Sequence, residues 1–401
     1  MQDLGFIVRE PLLNPEERVL GYEVKWQHTG SAAPSEADVE QLLNCVAEHL
    51  TVGPSGTLLG DQVLFLEVLP QLLMSDAVAA LPAQGTVLAL RAPDVDADAL
   101  EAIRELRGRG YGISLRGGDL ASIDKAILAS VTHFEIGASA TDFSAQVEHH
   151  RALGLSSLRL AARQAGNWQE FDACAGRGID AFVGQLHLSP RQGTVSKGLN
   201  PAQTMILQLM DLVRKNADIR QLESIFKRDA ALSYKLLRYI NSAGFGLGCE
   251  IQSLKHAVSL LGYSPLYRWL SLLLASASTT GYSPVLLQNA VIRGRFSELL
   301  GREFLPKTEA DNLFVAGMFS LLDRLLGVPM EDVLEKIQLP EEVTHALLAR
   351  EGIYGPFLAL AEACELNSPE VEAMATSLCI GTGQVNQAHL AALAWVQSIK
   401  L

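Results

Sequence analysis

The chain has 401 residues, 48% of them hydrophobic and 19% charged, with a formal net charge of −13. That composition supports large cores and excludes wholesale disorder, and the length predicts two domains. An acidic chain with no dense Lys/Arg run repels phosphate backbones, so no nucleic-acid partner is expected.

The opening MQDLGFIVREP lacks the basic, apolar, small order of a signal peptide. Ahead lie apolar or alternating runs at Gly5–Val8, Val63–Leu69, Thr86–Arg91, Tyr111–Leu115, His133–Ile136, Ser157–Ala161 and Ala181–Leu186, each read as a strand. Helical patterns separate them. Ser35–Leu50 carries Leu42, Leu43, Val46 and Leu50 at helical spacing behind an N-cap serine, and Asp96–Arg107 carries Leu100, Ile103 and Leu106. Repeated βα units imply parallel strands, and about seven of them favour a barrel over an open sheet.

Ser189–Asn200, SPRQGTVSKGLN, has Pro, Gly and small polar residues without apolar periodicity; it is the expected linker. This gives a first domain over 1–190, a linker over 191–200 and a second domain over 201–401. Beyond Pro201 strand patterns stop. Leu207, Met210, Leu212 and Val213 begin a helix, and Asp229 is placed to cap one bearing Leu232, Leu236, Leu237 and Ile240. Further helices are predicted over Ser253–Leu261, Leu266–Ala277, Leu286–Phe304, Asp311–Leu326, Glu341–Arg350 and Gln384–Ile399. Short Gly- and Pro-marked turns between them describe an antiparallel all-α bundle.

The longest apolar stretch, Trp269–Ala275, is far below the ~20 residues that span a bilayer, so no membrane insertion is expected. The five cysteines are an odd number, scattered and without a CxxC motif, which reads as reduced thiols in a cytoplasmic protein.

The second half resembles the HDOD domain, a non-catalytic relative of HD-type phosphohydrolases, through Lys227–Leu232 (KRDAAL), Leu236–Ala243 (LLRYINSA), His256–Gly262 (HAVSLLG), Phe319–Pro329 (FSLLDRLLGVP) and Ala346–Gly352 (ALLAREG). The first half resembles an EAL domain, the TIM-barrel-like fold of cyclic-di-GMP phosphodiesterases, through Arg18–Gln27 (RVLGYEVKWQ), Gly110–Leu115 (GYGISL), Gly184 and Pro190. In this order the two domains resemble bacterial EAL–HDOD signalling proteins, which act in motility and biofilm control.

The EAL resemblance implies a site of acidic oxygens that hold divalent cations, lower the pKa of a bound water and neutralise the phosphodiester. Glu23, in Glu23-Val24-Lys25, keeps the first carboxylate, and Glu67 stands near a ligand Asn. The other matching positions depart from the pattern. Gln27 stands for a phosphate-gripping Arg, Ala89 for a ligand Glu, and Arg116-Gly117 for paired Asp. Glu135 stands for a water-orienting Lys, Gly137 for a metal-binding Asp, Ala162 and Ala165 for carboxylates, and Val183 for a Gln. The expectation is a degenerate EAL domain with no metal, no cofactor and no catalytic residues. Glu23 and Glu67 remain as relics or ligand-facing groups, and the balance is against retained cyclic-di-GMP binding.

In the helical half, Asp229, Asn241, Ser242, Gly262 and Asp323 of the HDOD motifs are read as structural: a cap, a helix end, a glycine turn and a paired carboxylate. No His-Asp dipeptide occurs, which argues against HD-type metal chemistry. The functional expectation is a non-catalytic scaffold acting through protein partners, with the barrel as regulator or homodimer surface. The alternatives are a cyclic-di-GMP phosphodiesterase and a non-hydrolysing cyclic-di-GMP sensor.

Overall fold

The computed structural model describes residues 5–27, 34–50, 59–189, 199–226, 230–241, 251, 253–277, 285–337 and 339–399. They form two compact units, Met1–Ser189 and Pro190–Leu401.

The first unit is a closed barrel of eight strands, each hydrogen-bonded to the next in chain order. They are β1 (Ile7–Leu13), β2 (Val19–Trp26), β3 (Val63–Glu67), β4 (Thr86–Arg91), β5 (Gly112–Arg116), β6 (His133–Gly137), β7 (Arg159–Arg163) and β8 (Ala181–Val183). From β2 to β8 neighbours are parallel. The expectation of an all-parallel sheet fails at β1, which is antiparallel to both β2 and β8. The cause is a hairpin at Asn14–Arg18, where the Asn14 N–H donates to the Arg18 carbonyl at 2.9 Å and the Arg18 N–H donates to Asn14 Oδ1 at 2.8 Å. A hairpin reverses the chain without a crossover helix, so no helix separates β1 from β2, and the strand count rises from seven to eight.

Six helices accompany the strands: α1 (Glu36–His49), α2 (Asp76–Ala79), α3 (Ala97–Arg109), α4 (Lys125–Ser130), α5 (Phe143–Leu153) and α6 (Trp168–Ala175). Ser35 caps α1 through a capping box with Asp38, and Asp96 caps α3, each satisfying orphan N–H groups of a first turn. Inside the barrel Leu12, Phe65, Val87 and Val183 pack together. Strand alternation then puts Glu67, two residues beyond Phe65, on the same inner face nearer the C-terminal end.

The second unit is all-helical. Its helices are α7 (Pro201–Arg214), α8 (Ile219–Phe226), α9 (Ala230–Ile240), α10 (Leu254–Leu261), α11 (Tyr263–Ser276), α12 (Val285–Gly301) and α13 (Lys307–Phe319). They continue as α14 (Leu322–Leu326), α15 (Met330–Lys336), α16 (Glu341–Ala349), α17 (Gly355–Glu365), α18 (Val371–Ser377) and α19 (Thr382–Gln397). The expected helix over 311–326 divides at Ser320–Leu321 into α13 and α14. The expected linker is shorter at its C-terminal end. Asn200 caps α7 through a capping box with Gln203 and donates to the Ala277 carbonyl at 3.0 Å, so it belongs to the bundle. Residues 190–198 lie outside the described residues. Helix α12 packs against α13, α17 and α19 and is buried on nearly every face. No described helix is long and apolar enough to cross a membrane.

Candidate functional site: the mouth of the barrel

At the C-terminal ends of β2, β3, β5, β6 and β7 five charged side chains meet. Arg116, ending β5, places Nη2 2.5 Å from Glu23 Oε1, Nε 3.0 Å from Glu135 Oε2 and Nη1 3.6 Å from Glu67 Oε2. Arg163, ending β7, donates from Nη1 to Glu135 Oε2 at 2.7 Å and from Nη2 to Glu23 Oε2 at 2.8 Å. The Ser114 hydroxyl donates to Glu135 Oε1 at 2.6 Å. Each guanidinium bridges Glu23 and Glu135, whose side chains are only 1% and 0% exposed. Charged groups leave water at high cost unless paired, and here both carboxylates are paired twice.

The electrostatics follow the geometry. Burial alone would push the Glu23 carboxyl up, but the Arg116, Arg163 and Lys25 charges outweigh it and hold it at about 2. Burial opposes the Arg163 charge, and Glu23 and Glu135 reverse that effect and raise its pKa. Arg116 is raised by the same balance. Lys25, on the next inward position of β2, is held 2.7 Å from Glu10 of β1. Deeper in the barrel His133 packs edge-on to Phe65, and burial lowers its pKa to about 4.

The structure thus brings Glu23, Glu67, Arg116 and Glu135 into one cluster. The remaining expected positions stand outside it. Ala89 is fully buried on β4, in register with Glu67, and Val183 packs in the barrel's apolar interior. Gly137 and Gly117 are exposed at strand ends, Gly117 with a φ of 70°. Gln27 follows β2, its N–H donating to the Phe6 carbonyl at 2.7 Å, and Ala165 lies in the loop after β7. Ala162 does not face the mouth. It pairs in register with Phe182, whose ring packs at a tilt of 36° against Phe171 of α6 outside the barrel. The mouth position on β7 is the next residue, Arg163. The sequence reading missed Arg163 and Ser114. Arg163 pairs with Gly137 and Ser114 with His133, each two residues from Glu135 along β6 and so on its inner face, a register that the alanine-rich LAARQA run does not disclose.

In the helical unit Asn241 clamps the backbone of Ile251, donating from Nδ2 to its carbonyl at 2.8 Å and accepting from its N–H at 2.7 Å. Gly262, with a φ of 83°, joins α10 to α11 at a conformation that side chains resist. Asp323, on α14, faces the charge of Arg293. Asp229 and Ser242 lie outside the described residues. Two buried ion networks were not anticipated. Arg293 of α12 donates to Ser320 at 2.7 Å, to Glu362 at 2.8 Å and to both oxygens of Glu365 at 3.0 Å. Glu298, also on α12, meets Arg268 at 2.7 Å and Arg295 and Arg302 at 2.9 Å. Burial would raise the Glu298 carboxyl, but these arginines hold it at about 2. Both networks lie within the helical unit, and the second reaches its surface at Arg302, whose side chain is 49% exposed.

Residues 199–339 match the HDOD domain family. Over 98% of its length the chain is 26% identical to a Vibrio cholerae serotype O1 protein named cyclic di-GMP phosphodiesterase CdgJ, covering 93% of that relative. It is 25% identical to the Bacillus subtilis protein YuxH over 90% of this chain and 91% of that one. Among solved structures, a PaMucR phosphodiesterase in complex with c-di-GMP matches 44% of this chain and 89% of its own, at 17% identity and a TM-score of 0.34.

Proposed function

We propose that this chain is a cyclic-di-GMP-pathway protein of EAL-plus-HDOD type that works without catalysis, by engaging protein partners. One observation carries this reading: Arg116 and Arg163 sit between Glu23, Glu67 and Glu135 at the barrel mouth. A two-metal phosphodiesterase needs those carboxylates free to bind cations that stabilise the attacking and leaving oxygens. In this chain two guanidiniums hold them. A divalent ion would have to displace buried charge-assisted hydrogen bonds that are stronger than neutral ones. The residues present do not fit a metal centre, and no step is derived through one.

The same cluster argues against cyclic-di-GMP as a ligand at this mouth. Its two phosphates need cationic anchors, but Arg116 and Arg163 are already committed to three carboxylates, and Gln27 offers an amide where a guanidinium would grip.

One finding favours a second reading. The relative matched along nearly the whole chain is named a cyclic di-GMP phosphodiesterase. The two readings separate in one assay. The full chain, incubated with cyclic-di-GMP and Mg2+ or Mn2+, is expected to give no linear or mononucleotide product, and calorimetry no binding heat. Turnover that disappears in Glu23→Ala would establish the phosphodiesterase instead.

A further inference from the structure

The helical unit contains a cavity of about 580 Å³ between α7, α11 and the end of α15. Leu199, Leu207, Met210 and Ile337 give it an apolar part, and Thr204, Gln208 and Glu335 a polar one. Asp211 of α7 and Tyr267 of α11 also line it, from adjacent helices. Asp211 Oδ1 and the Tyr267 hydroxyl are both closed off from solvent and make no hydrogen bond among the described residues, Oδ1 having only the Arg214 guanidinium 3.9 Å away as an ion-pair neighbour. The other Asp211 oxygen accepts from Lys215 at 2.6 Å, which fixes the carboxylate. Burial pushes the Tyr267 phenol up, so it stays protonated and available as a donor.

A buried donor or acceptor left unmade costs a folded protein on the order of 1–3 kcal/mol. Two such groups lining one partly apolar cavity of ligand size describe a recognition site. The geometry points to a small-molecule site here, for an uncharged apolar molecule whose head group both donates and accepts a hydrogen bond, as a primary amide does. The N–H would be given to Asp211 and the carbonyl would accept from Tyr267. An anionic head is disfavoured, because the ionisable groups lining the cavity, Asp211 and Glu335, are acidic, Tyr267 stays neutral, and the neighbouring cations Arg214 and Lys215 are already paired with Asp211 at 3.9 and 2.6 Å. This also sets the cavity apart from a cyclic-dinucleotide site, and the proposal does not rest on the reading of the barrel mouth.

The test uses the full chain with two nearly isosteric probes, benzamide and benzoate, followed by ligand-observed NMR titration. Benzamide should bind saturably in the millimolar range expected for so few atoms, and benzoate at least about tenfold more weakly. Tyr267→Phe and Asp211→Ala should each weaken benzamide about tenfold. Tyr267→Phe should keep the parent's melting temperature, since it removes a hydroxyl that no protein group satisfies. Absence of saturable benzamide binding, equal affinity for benzoate, or full affinity in Tyr267→Phe would overturn the assignment. A marked fall in the melting temperature of Tyr267→Phe would do so too, by giving the hydroxyl a structural role.

Discussion

A guanidinium presents five N–H donors in one plane, so a single arginine can grip two carboxylates at once where a lysine cannot. Arg163 uses this to tie Glu23 of β2 to Glu135 of β6 across the barrel mouth, and Arg116 ties the same two from β5. Removing one partner from such a buried cluster strands the others, at a cost of about 3–5 kcal/mol. Arg163→Ala should therefore lower the unfolding free energy by that order, read as a lower urea midpoint, with Arg163→Lys in between. The double variant Arg116→Ala/Arg163→Ala leaves three carboxylates facing one another, and its midpoint should rise on adding Mn2+ while the parent's does not. A neutral Arg163→Ala would show that the bridges contribute nothing. Reading the chain alone exposed Arg116 as a cation in an acidic position. It hid Arg163, because an alanine-rich LAARQA strand gives no amplitude by which to tell its inward residues from its outward ones.

Elements were legible where their periodicity was strong and capped. Helices α1 and α3 follow from their apolar spacing with Ser35 and Asp96 as caps. Strand β2 escaped because VLGYEVKW carries a buried Glu and an ion-paired Lys on its inner face, which tertiary pairing satisfies and a hydrophobic pattern does not show. Helix packing was equally hidden. Gly294 of α12 and Gly317 of α13 meet at the crossing of their helices. A Cβ on Gly317 would lie 2.7 Å from Gly294 Cα and 2.8 Å from the Arg293 carbonyl oxygen. Both contacts are backbone, so Gly317→Ala has no flexible neighbour to push aside and should destabilise by about 1–3 kcal/mol or more. Gly383, in α19, has open space around its Cβ position, so Gly383→Ala should instead stabilise by up to about 1 kcal/mol. A denaturant midpoint of Gly317→Ala that does not fall would refute the close crossing, and one of Gly383→Ala that falls would refute the open space at α19.

At the scale of the whole chain, the change from alternating strand–helix runs to unbroken helical periodicity marked the division into two units, because patterning reports which faces are buried. It could not report that each unit closes a charged network inside itself, since the arginine and glutamate partners lie far apart in sequence. Those networks give both units the same response to acid. Glu23 in the barrel and Glu298 in the bundle are each held at about 2, below the ordinary 4.5. A carboxyl depressed by folding contributes stability that is complete above about pH 4.5 and is lost as the pH falls toward 2. The unfolded chain takes up the proton first. A shift of this size corresponds to about 3 kcal/mol per group at neutral pH, to order of magnitude. Urea midpoints should begin to decline below about pH 6.5, where His133, held neutral down to about 4 by burial, takes up its proton first in the unfolded chain, and fall more steeply between pH 4.5 and 2. Glu23→Gln and Glu298→Gln should both be less stable than the parent at pH 7, but each should lose part of that acid dependence, leaving a shallower slope. A slope unchanged in both variants would mean that neither carboxylate's proton is linked to folding, and that the arginines around them are held by packing alone.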